Sequence, residues 1–334
     1  MALSRRTALL AGLGGTLASR AARAQTLTPI GFALDFRALG RHAAWYVAAE
    51  KGFYRDGGLA VNIQGTSGTA QAIQNLESNV VQFAFSDVAG VATAHANGAS
   101  GARIVAVIYQ KAPYAIFSTA TGANVTRPEQ LEGLTIGSGA GSFTQQVVHA
   151  FMLQRGLDPS KVSYTNVDPA ARISLLVAGK LKASESFAMS MPGLVGAVGA
   201  DQARMLLLAD FGLQLYSNSI VVRQDTIRDH PDTVHAFVKA SLQGWKYSIE
   251  HPDEAAAIVS RAVKGLDPAI ARQEIDIVNR LVLTEQTRAA GLGSFDMATM
   301  QASETLILGA DGAKSVPVGS LVDADFLPNP PILP

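Results

Sequence analysis

Cysteine is absent from all 334 residues. That excludes a disulfide-stapled scaffold and a thiolate-ligated zinc site, since both need several thiols. A charge surplus of either sign is missing too: 27 Lys and Arg stand against 27 Asp and Glu. A protein that neutralises a phosphate backbone carries excess basic residues, so no nucleic-acid partner is expected. Nor are there G-x-S-x-G, phosphate-loop G-K-S/T or H-E-x-x-H motifs. The run from Gly137 to Ser142 loosely echoes a dinucleotide fingerprint, but no acid closes the next strand near Thr165 and Asn166. His95, His149, His230, His235 and His251 are scattered through helical stretches without metal-ligand spacing. No catalytic constellation, metal or cofactor is expected, and the chain is not read as an enzyme.

A hydrophobic share of 48% with 16% charged residues, 31 Gly and 14 Pro describes a core-forming globular chain, enough for one large or two ordinary domains. Residues 1–24 have the features of an export signal. Arg5 and Arg6 precede the weakly apolar run 8–18, and Ala22-Arg23-Ala24 offers small residues at a cleavage site. A membrane span needs about 18 or more consecutive apolar residues, and this run is broken by Arg20. The paired arginines favour twin-arginine export to the periplasm. Removing the four arginines of the signal leaves 23 basic against 27 acidic residues, a net of −4.

Beyond Gln25, short apolar runs alternate with helical stretches. Strands are expected at 29–34, 59–64, 81–85, 104–109, 115–118, 134–137, 162–166, 183–187, 205–209 and 219–222, with helices between most of them. Such alternation predicts parallel sheets covered by helices. After about residue 224 the strands cease and helices follow Pro231, Pro252 and Asp267, prolines being favoured in a first helical turn.

Three loops combine a strand end, a following helix and polar groups: residues 34–42, 65–69 and 137–143. Each exposes backbone N–H groups and the positive end of a helix dipole. Taken singly, Ser67 and Ser142 have the plainer reading of N-caps, Arg37 and Arg41 of solvated charges, and His42 of a structural histidine. Recurrence of the arrangement in both halves of the chain favours a site.

The stretch Leu34-Asp35-Phe36, His42 to Tyr54 with its run AEKGFY, and Gly58 to Val61 resembles the opening of the solute-binding proteins of ABC importers for nitrate, sulfonates, taurine and thiamine-pyrimidine precursors. Phe83 to Asp87, Leu131 to Gly137, Asp210 to Gly212 and Pro231 to Phe237 extend the resemblance over most of the chain. It implies the type II periplasmic-binding-protein fold, an α/β architecture of two lobes with a ligand cleft and a two-crossing hinge. Residues 25–117 and 217–334 would form lobe one and 118–216 lobe two, with crossings near 116–119 and 214–219. Hinge closure would trap a small-molecule ligand for delivery to an inner-membrane ABC permease, and a monomer is expected.

The same resemblance places Phe36, His42, Ser67, Gly68, Ser86, Asp87, Phe187 and the turn that holds Ser138, Gly141, Ser142 and Phe143 at pocket-facing positions. Relatives often carry proline and asparagine where Arg37 to Arg41 stand here. With Arg37, Arg41, His42 and two helix N-termini around one cleft, the expected ligand is a small organic anion of carboxylate or sulfonate type. A neutral thiamine-pyrimidine precursor or similar heterocycle is the alternative. A pyrimidine synthase of the same fold uses a cysteine-rich iron motif, which a chain without cysteine lacks.

Overall fold

The computed structural model describes residues 26–140, 142–310 and 312–334. The export signal expected at 1–24 lies outside the described residues. The chain begins β1 (Thr28–Ala33), α1 (Ala43–Glu50), α2 (Phe53–Asp56), β2 (Leu59–Gln64), α3 (Thr69–Glu77), β3 (Phe83–Asp87), α4 (Val88–Ala96) and β4 (Ala102–Val107). It continues β5 (Tyr114–Thr119), β6 (Thr135–Ser138), α5 (Thr144–Gln154), β7 (Ser163–Asn166), α6 (Arg172–Val177), β8 (Ala183–Phe187), α7 (Met191–Val198) and β9 (Ala203–Leu207). Then come β10 (Asn218–Arg223), α8 (Gln224–Asp229), α9 (Pro231–Glu250), α10 (Pro252–Ala262), α11 (Pro268–Val282), α12 (Glu285–Ala290) and α13 (Met297–Ala310).

The strands form two five-stranded sheets, in the orders β2-β1-β3-β10-β4 and β7-β6-β8-β5-β9. The expectation of parallel sheets holds for β1, β2 and β3 and for β6, β7 and β8, but β10 and β5 run antiparallel to both their neighbours. The reason lies in where the chain enters. Asn218, the first residue of β10, pairs with Asp87 at the carboxyl end of β3, and Tyr114, the first residue of β5, pairs with Phe187 at the carboxyl end of β8. Each of these strands arrives from the other sheet at the cleft end, with no crossover helix to carry it back to the far edge. The first connection between sheets therefore falls at residues 108–113, ahead of the 116–119 expected, because β5 lies wholly in the second sheet. The second spans 208–217, and β9 likewise ends two residues short of the expected strand.

Lobe one packs its sheet on an aromatic core. Trp45 of α1 meets Phe32 of β1, Phe85 of β3 and Trp245 of α9 edge-on, with ring centroids 4.9, 5.1 and 5.5 Å away. Gly244 of α9 lets the two helix backbones touch, for a Cβ there would sit 2.4 Å from the carbonyl oxygen of Ala44. A second buried cluster runs across both lobes, joining Ala84, Val91 and Val221 to Ile116, Val148 and Leu206. Lobe two has a smaller core of its own around Phe117, Leu176 and Leu194. Among the described residues, no helix is long and apolar enough to cross a membrane.

Candidate functional site

Between the lobes lies a cavity of about 310 Å³, walled by the loop after β1, the start of α3, the start of α5, the end of β8 and one face of α11. Its first wall is made by residues 35–42. Asp35 follows β1 and is buried, and its carboxylate gathers three donors. His42 Nε2 lies 2.7 Å from Oδ1, while Asn218 Nδ2 donates to Oδ2 at 2.9 Å and Arg41 Nη2 donates to the same oxygen at 3.3 Å. The His42 Nδ1 accepts the Leu39 N–H at 3.0 Å, so the proton resides on Nε2 and is given to Asp35. Burial lowers the His42 pKa against the pull of Asp35. Burial alone would raise the Asp35 carboxyl, but Arg41, His42 and Asn218 together outweigh it and hold it at about 2.

Arg41 is itself buried and lies between two aromatic rings, 5.7 Å from the centroid of Phe36 in lobe one and 5.8 Å from that of Phe187 in lobe two. Its backbone N–H donates to Glu274 of α11 at 3.1 Å. Glu274 is buried, and burial raises its pKa against the pull of Arg41. Arg37 extends to the cleft mouth and is exposed, 5.7 Å from the Phe36 ring.

The second wall repeats the device. Glu185 of β8 is buried and accepts Arg172 Nη2 at 2.7 Å, Ser138 Oγ at 2.8 Å and the Gly139 N–H at 3.2 Å. Phe143 and Phe187 both lie edge-on to Tyr114, at 6.0 and 5.6 Å. The N-termini of α3 and α5 open on the cavity through Ser67, Gly68 and Thr69 on one side and Ser142 and Thr144 on the other.

Of the residues expected at the site, the structure brings Phe36, Arg37, Arg41, Ser67, Gly68, Ser142, Phe143 and Phe187 to the cavity wall. Four stand behind it. His42 is fully buried with both ring nitrogens spent on Leu39 and Asp35, Ser138 gives its hydroxyl proton to Glu185, and Ser86 and Asp87 are fully buried in β3 beside β10. Gly141 lies outside the described residues. Sequence reasoning passed over Asp35, Arg172, Glu185 and Glu274, which hold the charge balance of the cleft. An acid at a strand end and another inside a strand of small residues were the signals available for Asp35 and Glu185.

Three carboxylates and three guanidinium groups thus line one cavity. Asp35 and Glu185 are committed to Arg41 and Arg172, which leaves a wall without surplus charge but with fixed N–H edges between aromatic faces. Among the described residues there is no cluster of three or more His, Asp or Glu able to hold a metal ion.

Residues 40–255 match a family model described as NMT1/THI5 like. The riboflavin-binding protein RibY of Chloroflexus aurantiacus is 27% identical over 309 residues, which covers 88% of this chain and 84% of that protein. The formylaminopyrimidine-binding protein of Halalkalibacterium halodurans is 21% identical over 236 residues, 70% and 71% of the two chains. Among solved structures, the alkanesulfonate-binding protein SsuA of Xanthomonas axonopodis pv. citri, bound to MOPS, superposes with a TM-score of 0.70 at 14% identity over 89% of this chain and 98% of that one. The architecture is that of the periplasmic binding proteins.

Proposed function

Because the chain belongs to the NMT1/THI5-like family, we propose that it is the substrate-binding component of an ABC importer and closes its lobes on a flat, uncharged heterocycle of the pyrimidine or flavin kind. The observation that carries this reading is the internal pairing of the cleft charges. An anion gains from an arginine whose charge is free, and Arg41 and Arg172 are instead neutralised by Asp35 and Glu185 within the wall. What remains suits a planar ring: Phe36, Phe143 and Phe187 offer faces and edges, while guanidinium and helix N-terminal N–H groups suit ring carbonyls and nitrogens. The names of the two curated relatives, a riboflavin-binding and a formylaminopyrimidine-binding protein, point the same way. An export signal at 1–24 would put this work in the periplasm, with an inner-membrane permease as partner.

Isothermal titration with riboflavin, formylaminopyrimidine and an alkanesulfonate tests the proposal. Binding of either heterocycle with no heat from the sulfonate is the expected result; the reverse sinks it. The anion reading rests on the exposed Arg37 at the cleft mouth and on the α3 and α5 N-termini that open on the cavity.

Two substitutions bear on the choice. Phe187→Ala removes a ring from the wall and from Arg41, and should weaken heterocycle binding by about 0.5–1.5 kcal/mol beyond the lost contact area. Glu185→Gln should release Arg172 from its counter-charge and raise affinity for an alkanesulfonate by about tenfold or more, since a hydrogen bond to a charged group contributes about 1.5–3 kcal/mol. An unchanged sulfonate titration in this variant would show that Arg172 does not reach ligand.

A further inference from the structure

Behind the cleft, the Asp87 side chain closes β3 fully buried, and its two oxygens take three donors. Oδ1 accepts the Ala89 N–H at 2.8 Å and so caps α4. Oδ2 accepts the hydroxyl protons of Tyr114 and Ser217, each at 2.6 Å. Tyr114 is the first residue after the 108–113 crossing, and Ser217 is the last of the 208–217 crossing. One carboxylate of lobe one therefore fastens both connections between the lobes.

Ser217 Oγ also lies 3.0 Å from Asn218 Oδ1, an acceptor. A hydroxyl has one proton, so it cannot serve Asp87 and Asn218 together. With Asp87 ionised, the proton goes to Asp87. With Asp87 protonated, the carboxyl can itself donate to Ser217, and Ser217 can turn its proton to Asn218. The Asn218 amide donates at 2.9 Å to Asp35, the carboxylate that holds Arg41 in the cleft wall. In that protonated state the hydrogen bonds run without a gap from Arg41 through Asp35, Asn218, Ser217 and Asp87 to Tyr114.

We propose that Asp87 is a positioning residue for ligand capture: its protonation state sets whether the Ser217 hydroxyl proton is spent on Asp87 or is passed to Asn218, which ties the hinge to the Asp35–Arg41 pair of the cleft as well as to lobe one. The proposal rests on hinge closure as the means of capture, not on which ligand is captured. Facing Asp87 are Tyr114 of β5 and Ser217 of the crossing as donors, and Asp35 from the end of β1 as the neighbouring charge. Burial, opposed by the Ser217, Tyr114 and Ala89 donors, pushes the Asp87 carboxyl up to about 6.

Hydrogen exchange of the ligand-free protein, corrected for intrinsic rates and followed by mass spectrometry between pH 5 and 7.5, tests this. Protection of 108–113 and 208–217 should rise several-fold as the pH drops through 6, because the closed hinge holds the Asp87 proton more tightly than an exposed carboxyl would, while peptides of β2 stay unchanged. Asp87→Asn carries the protonated pattern permanently and should show the low-pH protection throughout. Ser217→Ala, a milder change, removes the moving hydroxyl and should flatten the same profile. A pH dependence that persists in both variants, or a flat wild-type profile, overturns the proposal. A parallel riboflavin titration reports on the ligand reading separately: no binding beside the expected exchange pattern counts against the heterocycle and for the hinge.

Discussion

Asp35→Ala is expected to destabilise the fold by about 3–5 kcal/mol, the cost of leaving a buried charge without its partner, and to abolish ligand capture. The substitution strands three donors at once. Arg41 is buried with a Nε that already has no partner, His42 Nε2–H has no other acceptor, and Asn218 Nδ2 loses its bond. With only Glu274 left nearby and no carboxylate bonded to its guanidinium, Arg41 is drawn out of the space between Phe36 and Phe187 towards water, and that space is the cleft wall. Urea melts measure the loss as a lower midpoint, and a change under about 1 kcal/mol, the median for exposed pairs, would mean that the Asp35 site is solvated.

The same carboxylate gives the fold an acid limb of defined sign. Its folded pKa, about 2, lies below the ordinary 3.8. Its contribution is therefore complete above pH 4 and fades as the pH falls from about 4 towards 2. The raised carboxyl of Asp87 has the opposite sign: its contribution is present below the ordinary carboxylate value and is lost as the pH rises through about 6. The Asp35→Ala variant should lack the loss of stability between pH 4 and 2, and Asp87→Asn should lack the loss on approach to pH 6.

Gly40→Ala is expected to cost about 1–3 kcal/mol or more by overpacking. A Cβ at Gly40 would sit 2.4 Å from the Cα of Ala271 and 2.8 Å from both the Ala271 carbonyl oxygen and Glu274 Oε2. Backbone cannot move aside cheaply, so α11 has to shift away from the turn that sets Arg41. Because the Arg41 N–H donates to Glu274, the shift reaches the cleft, and ligand affinity should fall with the melting temperature. Gly309→Ala is the control. Its Cβ meets nothing within 4 Å, and inside α13 it should gain about 0.5–1 kcal/mol. Equal melting temperatures for Gly40→Ala and wild type would show that the close approach of Gly40 to α11 is not retained in solution.

The strands were legible because short apolar runs have few other uses. Strand β3 shows the limit: the sequence places it at 81–85, and it runs instead from Phe83 to Asp87. Ser86 and Asp87 are poor strand residues by propensity, but tertiary partners from β10 and α4 hold them there. The direction of β5 and β10 was not legible, since it depends on where a chain enters a sheet and not on local pattern. Helices α2, α8 and α12 are four to six residues long, too short for periodicity to register.

At the cleft, the sequence exposed the loops but not their electrostatics. Arg37, Arg41 and His42 look alike in the string. The fold pairs Arg41 with Asp35, seals His42 behind it and leaves Arg37 at the mouth. Glu185 was overlooked because an acid in a strand of small residues looks like a surface position until its partner Arg172 is placed, 13 residues away in sequence.

The way the sheets share the chain also sets an order of assembly. Every strand of the second sheet comes from the continuous stretch 114–207. The first sheet takes β10 between β3 and β4, and its β4 edge is closed by residues far downstream, with the Ile104 N–H bonded to the Leu321 carbonyl and the Asp323 N–H to that of Ile104. During synthesis the second lobe can gather as soon as its own residues emerge. The first has to wait, with β1 to β4 unpaired at their final edge, until the chain beyond residue 320 returns. A partly made molecule would therefore display a finished distal lobe on an open, apolar first sheet, which is the state a holding chaperone would meet.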